Sequence, residues 1–288
     1  MLSRLLPLSF CIVLSAYSLP KTNLSVTSEI LQVAREDSGV LASDGFEDKQ
    51  VAKFWHAEFR TPTAGLLTRD VHRAGKQAMR FAWKPSQYDG TNPTLHSELL
   101  TSPLPAGETE RWYGYSSYMP SSSMENDSQT VIISQWHGFP DEGGAHTVPA
   151  MALSIEPDNK LQLVYRASNK PITTFLQHPT SQKVLDLGKA RFDRWVDYVV
   201  HVNWDPIGNT GQLQLWQNGI LLVNETGISI GYAEQHKPYW KCGLYCWTGK
   251  STYVEKIIYY DEVRIGGPSA SYDTVKPGLG DGTARMRE

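Results

Sequence analysis

From Asp44 onward, short apolar runs alternate with turn-forming residues. The runs "KFWHAEF", "QAMRFAW", "RWYGYSSYM", "TVIISQWH", "MALSIEP", "LQLVYRA", "WVDYVVHVNW", "LQLWQNGILLV", "YWKCGLYCW" and "KIIYYDEVRIG" are rich in Val, Ile, Tyr, Phe and Trp, and pieces such as "PDNK" and "DPIGNTG" separate them. β-Branched and aromatic residues between such breaks fit pleated strands. Many strands with almost no helical periodicity predict an all-β domain, a jelly-roll sandwich of two antiparallel sheets, with little room for a βαβ unit. Asn218-Gly219 in "WQNGI" adopts the positive φ angles of a tight turn and predicts a hairpin.

The two-residue period of a strand also sorts side chains by face. In "YWKCGLYCW", Tyr239, Lys241, Gly243, Tyr245 and Trp247 share one face, and Trp240, Cys242, Leu244 and Cys246 the other. The second face suits a core and the first a ligand. In "TVIISQWHG", Gln135 and His137 project from one face while Trp136 falls on the core side; in "PTLHSELL", His96 and Glu98 share a face. Each pair alone reads as a local hydrogen bond on a strand. Their recurrence on three aromatic-rich strands points to one polar site.

Composition narrows the classes. The 288 residues are 40% hydrophobic and 20% charged, as in soluble globular proteins, and the net charge of -3 gives no general attraction to nucleic acid. An anionic substrate therefore needs a local basic site. Residues 1–18 carry Arg4, an apolar run and small residues at Ala16 and Ser18, the pattern of a cleaved secretory signal, and no segment has the ~20 apolar residues of a membrane span. Residues 19–40 read as a leader or linker, 41–268 as the jelly-roll domain and 269–288, ending "DGTARMRE", as a flexible tail. The sequons at Asn23, Asn126 and Asn224 are compatible with glycosylation in a secretory route. With Cys11 removed in the signal, Cys242 and Cys246 remain. On a regular strand they stand roughly 13 Å apart at ~3.3 Å per residue, beyond the ~7 Å reach of a disulfide, so they read as buried free thiols.

The segments "DGFED", "HSEL", "RWYGYSSYMP", "QWHG", "VVHVNWDP", "LWQNG" and "YWKCGLY" stand in an order that resembles the jelly-roll polysaccharide lyases, the group of heparin lyase I and the fungal glucuronan lyases, over residues 44 to 266. The Gln-x-His and Lys-x-Gly-x-Tyr elements also resemble those of jelly-roll alginate lyases. His96 stands where that family has arginine, and in this the chain is similar to the glucuronan lyases. The resemblance implies a secreted, monomeric lyase that cleaves an acidic polysaccharide, β-1,4-linked polyglucuronate, by β-elimination to unsaturated oligouronides, with no nucleic-acid or membrane partner.

Such a lyase neutralises the C6 carboxylate of a uronate, removes the C5 proton and protonates the departing O4. Gln135 and His96 are the expected carboxylate ligands, and His137 and Tyr245 the expected proton-transfer groups. Lys241, Arg166, Tyr239, Trp247 and Glu98 are expected to line the substrate. Asp44, Glu47 and Asp261, near the first and last strands, offer oxygen ligands suited to a structural calcium ion. A lyase for heparin-like glycans or alginate, and a non-catalytic sugar-binding module, remain as alternatives. The laminarinase type of hydrolase is disfavoured, because Glu125-Asn-Asp127 and Glu156-Pro-Asp158 lack the third carboxylate.

Overall fold

Strands form in the computed structural model where the alternating runs predict them. It describes residues 39–142, 144, 147–171, 179–235, 237–278 and 285–286, so the signal sequence and nearly all of the leader lie outside the described residues. In chain order the strands are β1 (Val40–Asp44), β2 (His56–Phe59), β3 (Gly65–Thr68), β4 (Val71–His72), β5 (Ala78–Trp83), β6 (His96–Leu100), β7 (Glu110–Tyr118), β8 (Val131–His137), β9 (Met151–Glu156), β10 (Lys160–Ser168), β11 (Ser181–Lys189), β12 (Trp195–Asn203), β13 (Gly211–Gln217), β14 (Ile220–Ile228), β15 (Gly231–Tyr232), β16 (Tyr239–Tyr245) and β17 (Lys256–Gly266). Two short helices, α1 (Ser121–Met124) and α2 (Tyr272–Val275), complete the elements used below.

The strands make a jelly-roll sandwich. One sheet runs β14-β13-β12-β7-β17-β5-β3 with β1 beside β17; the other runs β11-β10-β9-β8-β16-β6-β2 with β15 beside β10. The pairings are antiparallel except β10 with β15. First and last strands of the domain are neighbours, Asp44 standing opposite Val263. Asn218 (φ 49°) and Gly219 (φ 82°) turn the β13–β14 hairpin as predicted.

Between the sheets lies an aromatic core. Trp240 of β16 packs its ring 5.2 Å from Tyr115, 5.4 Å from Tyr113 and 5.7 Å from Trp55, and its indole N–H donates to Ser134 Oγ at 2.7 Å. Burying one such side chain stabilises the fold by roughly 2–3 kcal/mol, and the hydrogen bond removes the penalty for the enclosed N–H. Cys242 and Cys246 point into this core as free thiols, in agreement with their spacing.

Two features depart from the sequence pattern. The edge strand β11 and the short β3 were not among the apolar runs; β11 is almost wholly exposed, so its residues carry little hydrophobic signal. The predicted tail is docked over its first part, where Ala270 and Val275 pack against Val199 beside Trp112 and Trp216. Gly114 of β7 permits that approach, because a Cβ there would lie 1.8 Å from the Val275 carbonyl oxygen. Gly, Pro and Ser composition signals a loop but says nothing of what the loop packs on. Among the described residues no helix is long and apolar enough to cross a membrane.

Candidate active site

The site is assembled around β16. Tyr239, Lys241, Tyr245 and the following Trp247 line an open groove of about 1300 Å³, while Trp240, Cys242, Leu244 and Cys246 are buried beneath it. The face assignment from the alternation holds. It survives a local irregularity: the register of β16 against β8 slips between Cys242 and Tyr245, and Gly243 takes φ 133°. A Cβ at Gly243 would sit 2.2 Å from the Ser97 carbonyl oxygen, so glycine is required there.

Pairing brings β6 to one side of β16, with Gly243 opposite Glu98 and Tyr245 opposite His96. The His96 and Tyr245 rings stack at 4.4 Å, only 5° from parallel. His96 Nδ1 faces Glu98 Oε2 at 2.6 Å, and Nε2 faces Asn92 Oδ1 at 2.9 Å, while the Asn92 amide N–H points to the Tyr245 hydroxyl at 3.5 Å. Both ring nitrogens thus face oxygen atoms of neighbouring side chains. Lys241 Nζ donates to Glu58 at 2.6 Å and lies 3.5 Å from Glu98. Glu98 thus joins Lys241 and His96, and Glu58 supplies Lys241 with a second carboxylate partner from β2.

On the other side of β16, Gln135 of β8 stands opposite Lys241 and His137 opposite Tyr239. Gln135 donates its side-chain N–H to Glu98 Oε1 at 2.7 Å, which leaves its second N–H and an unpartnered carbonyl oxygen. Half of its donor capacity is therefore committed within the protein. His137 Nδ1 lies 2.8 Å from the Gly138 carbonyl oxygen, and the Thr147 backbone is a second hydrogen-bond partner of the ring.

The charges follow from these contacts. Burial pushes the Glu98 carboxyl up, but Lys241, His96 and Gln135 outweigh it and hold the group at about 2. Burial pulls Lys241 down, and Glu98 with Glu58 more than reverses this, so it stays a cation. Burial, with Lys241 nearby, holds His137 below its ordinary value and favours the neutral ring. Burial also raises the Tyr245 phenol; the Asn92 contact opposes the rise, Glu98 adds to it and Lys241 opposes it. Burial, the largest influence, together with the carboxylates that pair with Lys241, therefore disfavours the phenolate in the free protein.

Farther along the groove Arg166 of β10 donates Nε to Gln182 Oε1 and Nη1 to the Pro149 carbonyl, both at 2.8 Å. Trp247 is 55% exposed at the rim and offers a ring face to a sugar, whereas Trp136 is in the core as its parity required. Tyr239 stacks on Phe139 at 4.6 Å. Glu58, Asn92 and Phe139 were missed by the sequence reading. Asn92, four residues before His96, and Glu58, in a run already read as a strand, carried faint local signals; only strand pairing shows that they converge.

The predicted calcium ligands divide. Asp44 turns into its own loop and accepts from the Phe46 and Ala52 N–H groups and the Trp55 indole. Its role is a turn cap, and it does not gather with the other two carboxylates. Glu47 accepts from Lys76 and Gln77 N–H, and Asp261 from Arg73 and Ala74 N–H, so these two address one short segment from either end. Burial raises the Asp261 carboxyl to about 7, which marks a carboxylate whose surroundings lack positive charge. All three are oxygen donors of the kind a hard cation takes and all already accept from N–H groups; Glu47 and Asp261 converge on one segment, while Asp44 faces its own loop. The one group of three potential metal ligands among the described residues is Glu58, His96 and Glu98, where Lys241 already supplies the positive charge.

The groove lies open across a sheet, wide enough for an extended chain, and titratable side chains line its floor. The family model described as "polysaccharide lyase" matches residues 44–264. The chain belongs to that family, the polysaccharide lyases. Among solved structures it is similar to an endo-β-1,4-glucuronan lyase from the fungus Trichoderma reesei, with a TM-score of 0.68 and 18% identity over 84% of this chain and 100% of the other. An alginate lyase from the marine Aplysia kurodai gives 0.51 and 11% identity over 71% and 87% of the two chains. At these identities the likeness is one of fold. No curated protein matches the sequence.

Proposed function

We propose that the protein cleaves β-1,4-linked polyglucuronate by β-elimination and releases oligouronides with an unsaturated C4–C5 end. The observation that carries this reading is His96, held by Glu98 and Asn92 and stacked on Tyr245, a histidine at the position where the alginate lyases it resembles have arginine. The fold likeness to a glucuronan lyase supports the same substrate class.

In the elimination the C5–H bond breaks, its electron pair forms the C4=C5 bond, the C4–O4 bond breaks and O4 leaves with a proton. The second Gln135 N–H meets the C6 carboxylate, where negative charge grows as C5 loses its proton, and His96 joins it by exchanging its Asn92 contact for a carboxylate oxygen. In a D-glucuronate chair the C5 hydrogen and C4 oxygen lie on the same side of the ring, so one residue can take the first proton and return it to O4. Tyr245, on the groove face and within reach of His96 and Asn92, is that residue. A second reading is favoured by the protonation states: His137, held towards its neutral form by burial, takes the C5 proton in place of its Thr147 backbone contact, and Tyr245 serves as the acid alone.

Lys241 pairs with Glu58 and Glu98 beneath the substrate, and Tyr239 and Trp247 flank the sugar rings. Glu47 and Asp261 would hold a structural calcium ion, which supplies stability and takes no part in the elimination. Residues 1–18 would direct the protein out of the cell, with glycosylation at exposed Asn126 and Asn224. The test is to incubate the purified protein with glucuronan, alginate, heparin and xylan and follow absorbance of the unsaturated product in the far ultraviolet. Glucuronan should give the largest rate, and Tyr245→Phe should reduce it by at least ~10³-fold, within the usual range for acid–base groups. Wild-type cleavage of alginate or heparin in preference to glucuronan overturns the substrate assignment; no cleavage of any of them favours a sugar-binding module.

A further inference from the structure

Three long cationic side chains line the groove among the described residues: Arg60, Lys241 and Arg166. Arg60 and Lys241 have carboxylate partners at 3.4 and 2.6 Å. Arg166 differs, since its two hydrogen-bond partners are neutral oxygens, of Gln182 and Pro149, and no carboxylate of a described residue lies within ion-pair distance. These contacts fix the guanidinium in a half-buried position without neutralising it, and burial accordingly lowers its pKa. A partly buried charge held without a counter-ion is costly to the fold, and the cost is recovered when an anion arrives.

The position of Arg166 defines that anion. In the sheet order β10-β9-β8-β16, it lies three strand spacings from the Lys241 strand, roughly 14 Å at ~4.8 Å per spacing, which is more than one sugar ring. Between them β8 contributes Gln135, opposite Lys241, and His137, opposite Tyr239, and β9 contributes Ala152, opposite Gln135, so no acidic side chain of a described residue stands in that row. We propose that Arg166 is a distal carboxylate subsite: it binds a second uronate of the same chain, several bonds from the reacting sugar, and so selects runs of uronate over isolated ones. This rests on the polyuronate reading above and adds the requirement for a second acidic sugar at a fixed distance. The planar fork of Arg, with Nη2 still available, suits a carboxylate better than a lysine would.

The test compares wild type, Arg166→Gln and Arg166→Lys on glucuronan and on a glucuronate trimer, with thermal melting as a check on folding. Arg166→Gln should raise KM on the polymer about 10-fold with kcat changed less than 2-fold, the signature of lost uniform binding, and Arg166→Lys should recover part of it. The ratio of polymer to trimer efficiency should fall in the Gln variant. An unchanged polymer KM, or an equal loss on both substrates, overturns the subsite while leaving a glucuronan-cleaving wild type intact. Should wild type cleave no uronate polymer, affinity electrophoresis in gels containing glucuronan, alginate or polygalacturonate reads the subsite directly. Weaker retardation of Arg166→Gln then supports it without the lyase reading, and equal retardation, or none for wild type, overturns it.

Discussion

Glu98 is the point at which stability and chemistry meet, and Glu98→Gln tests both with a nearly isosteric change. The carboxyl is wholly buried and sits at about 2 against an ordinary 4.5. At ~1.36 kcal/mol per pKa unit that difference corresponds to about 3 kcal/mol in favour of the folded, ionised state. The sign follows from the direction. A carboxyl lowered in the folded state contributes fully above its unfolded pKa, so the contribution is complete above about pH 4.5 and fades as pH falls from 4.5 towards 2. The amide of the Glu98→Gln variant cannot titrate, keeps one acceptor for His96 and loses the attraction to Lys241. Equilibrium unfolding in guanidinium chloride at several pH values should show the variant about 3 kcal/mol less stable at pH 7, roughly 6–12 °C in Tm for a domain of this size. The gap should narrow as pH drops below 4.5. A loss under ~1 kcal/mol at pH 7, or a gap that stays constant down to pH 3, would show that Lys241 and His96 do not depend on this carboxylate and would refute the reasoning.

Two further predictions concern the proton path and the cation. With Tyr245 as both base and acid, kcat/KM should climb with pH through the alkaline range, because the raised phenol pKa keeps the phenolate scarce below the ordinary value of 10, and His137→Ala should keep that slope at a reduced rate. A flat profile bounded by an acid limb below 6.5, with the limb abolished in His137→Ala, assigns the base to histidine instead. For the metal, a chelator should lower Tm while leaving activity measured well below melting nearly unchanged, if Glu47 and Asp261 hold calcium away from the groove. Loss of activity at constant Tm would move the ion to the groove.

The fold and half of the site were legible because both depend on a two-residue period. Tyr239, Lys241 and Tyr245 share the groove face, and Trp136 and Trp240 the core, for the same steric reason: alternate Cβ atoms point to opposite sides of the pleat. What the period does not encode is which strands become neighbours. Glu58 reaches Lys241 only because β2 pairs with β6 and β6 with β16. Gln135 was legible as a groove residue, but its bond to Glu98 spans two strands separated by a third. Asp44 was misread because an acidic residue at a strand end looks the same whether it meets a cation or caps backbone N–H groups. The docked stretch around Val275 was hidden by loop-like composition, since its partner residues are far away in sequence.

The two thiols beneath the catalytic strand turn the protein into its own recorder of opening. Cys242 and Cys246 are 0% and 1% exposed and lie on the reverse of the strand that presents Lys241 and Tyr245. Burial holds both thiols well above the ordinary pKa, so neither the access nor the thiolate needed for alkylation exists while β16 is in place. Where reclosing outpaces the reagent, alkylation by a small electrophile therefore follows the population in which β16 has left the sheet, and a polysaccharide bound across that strand slows it by stabilising the closed state. Occupancy of the groove becomes measurable by mass spectrometry on unmodified protein, without turnover and without a label.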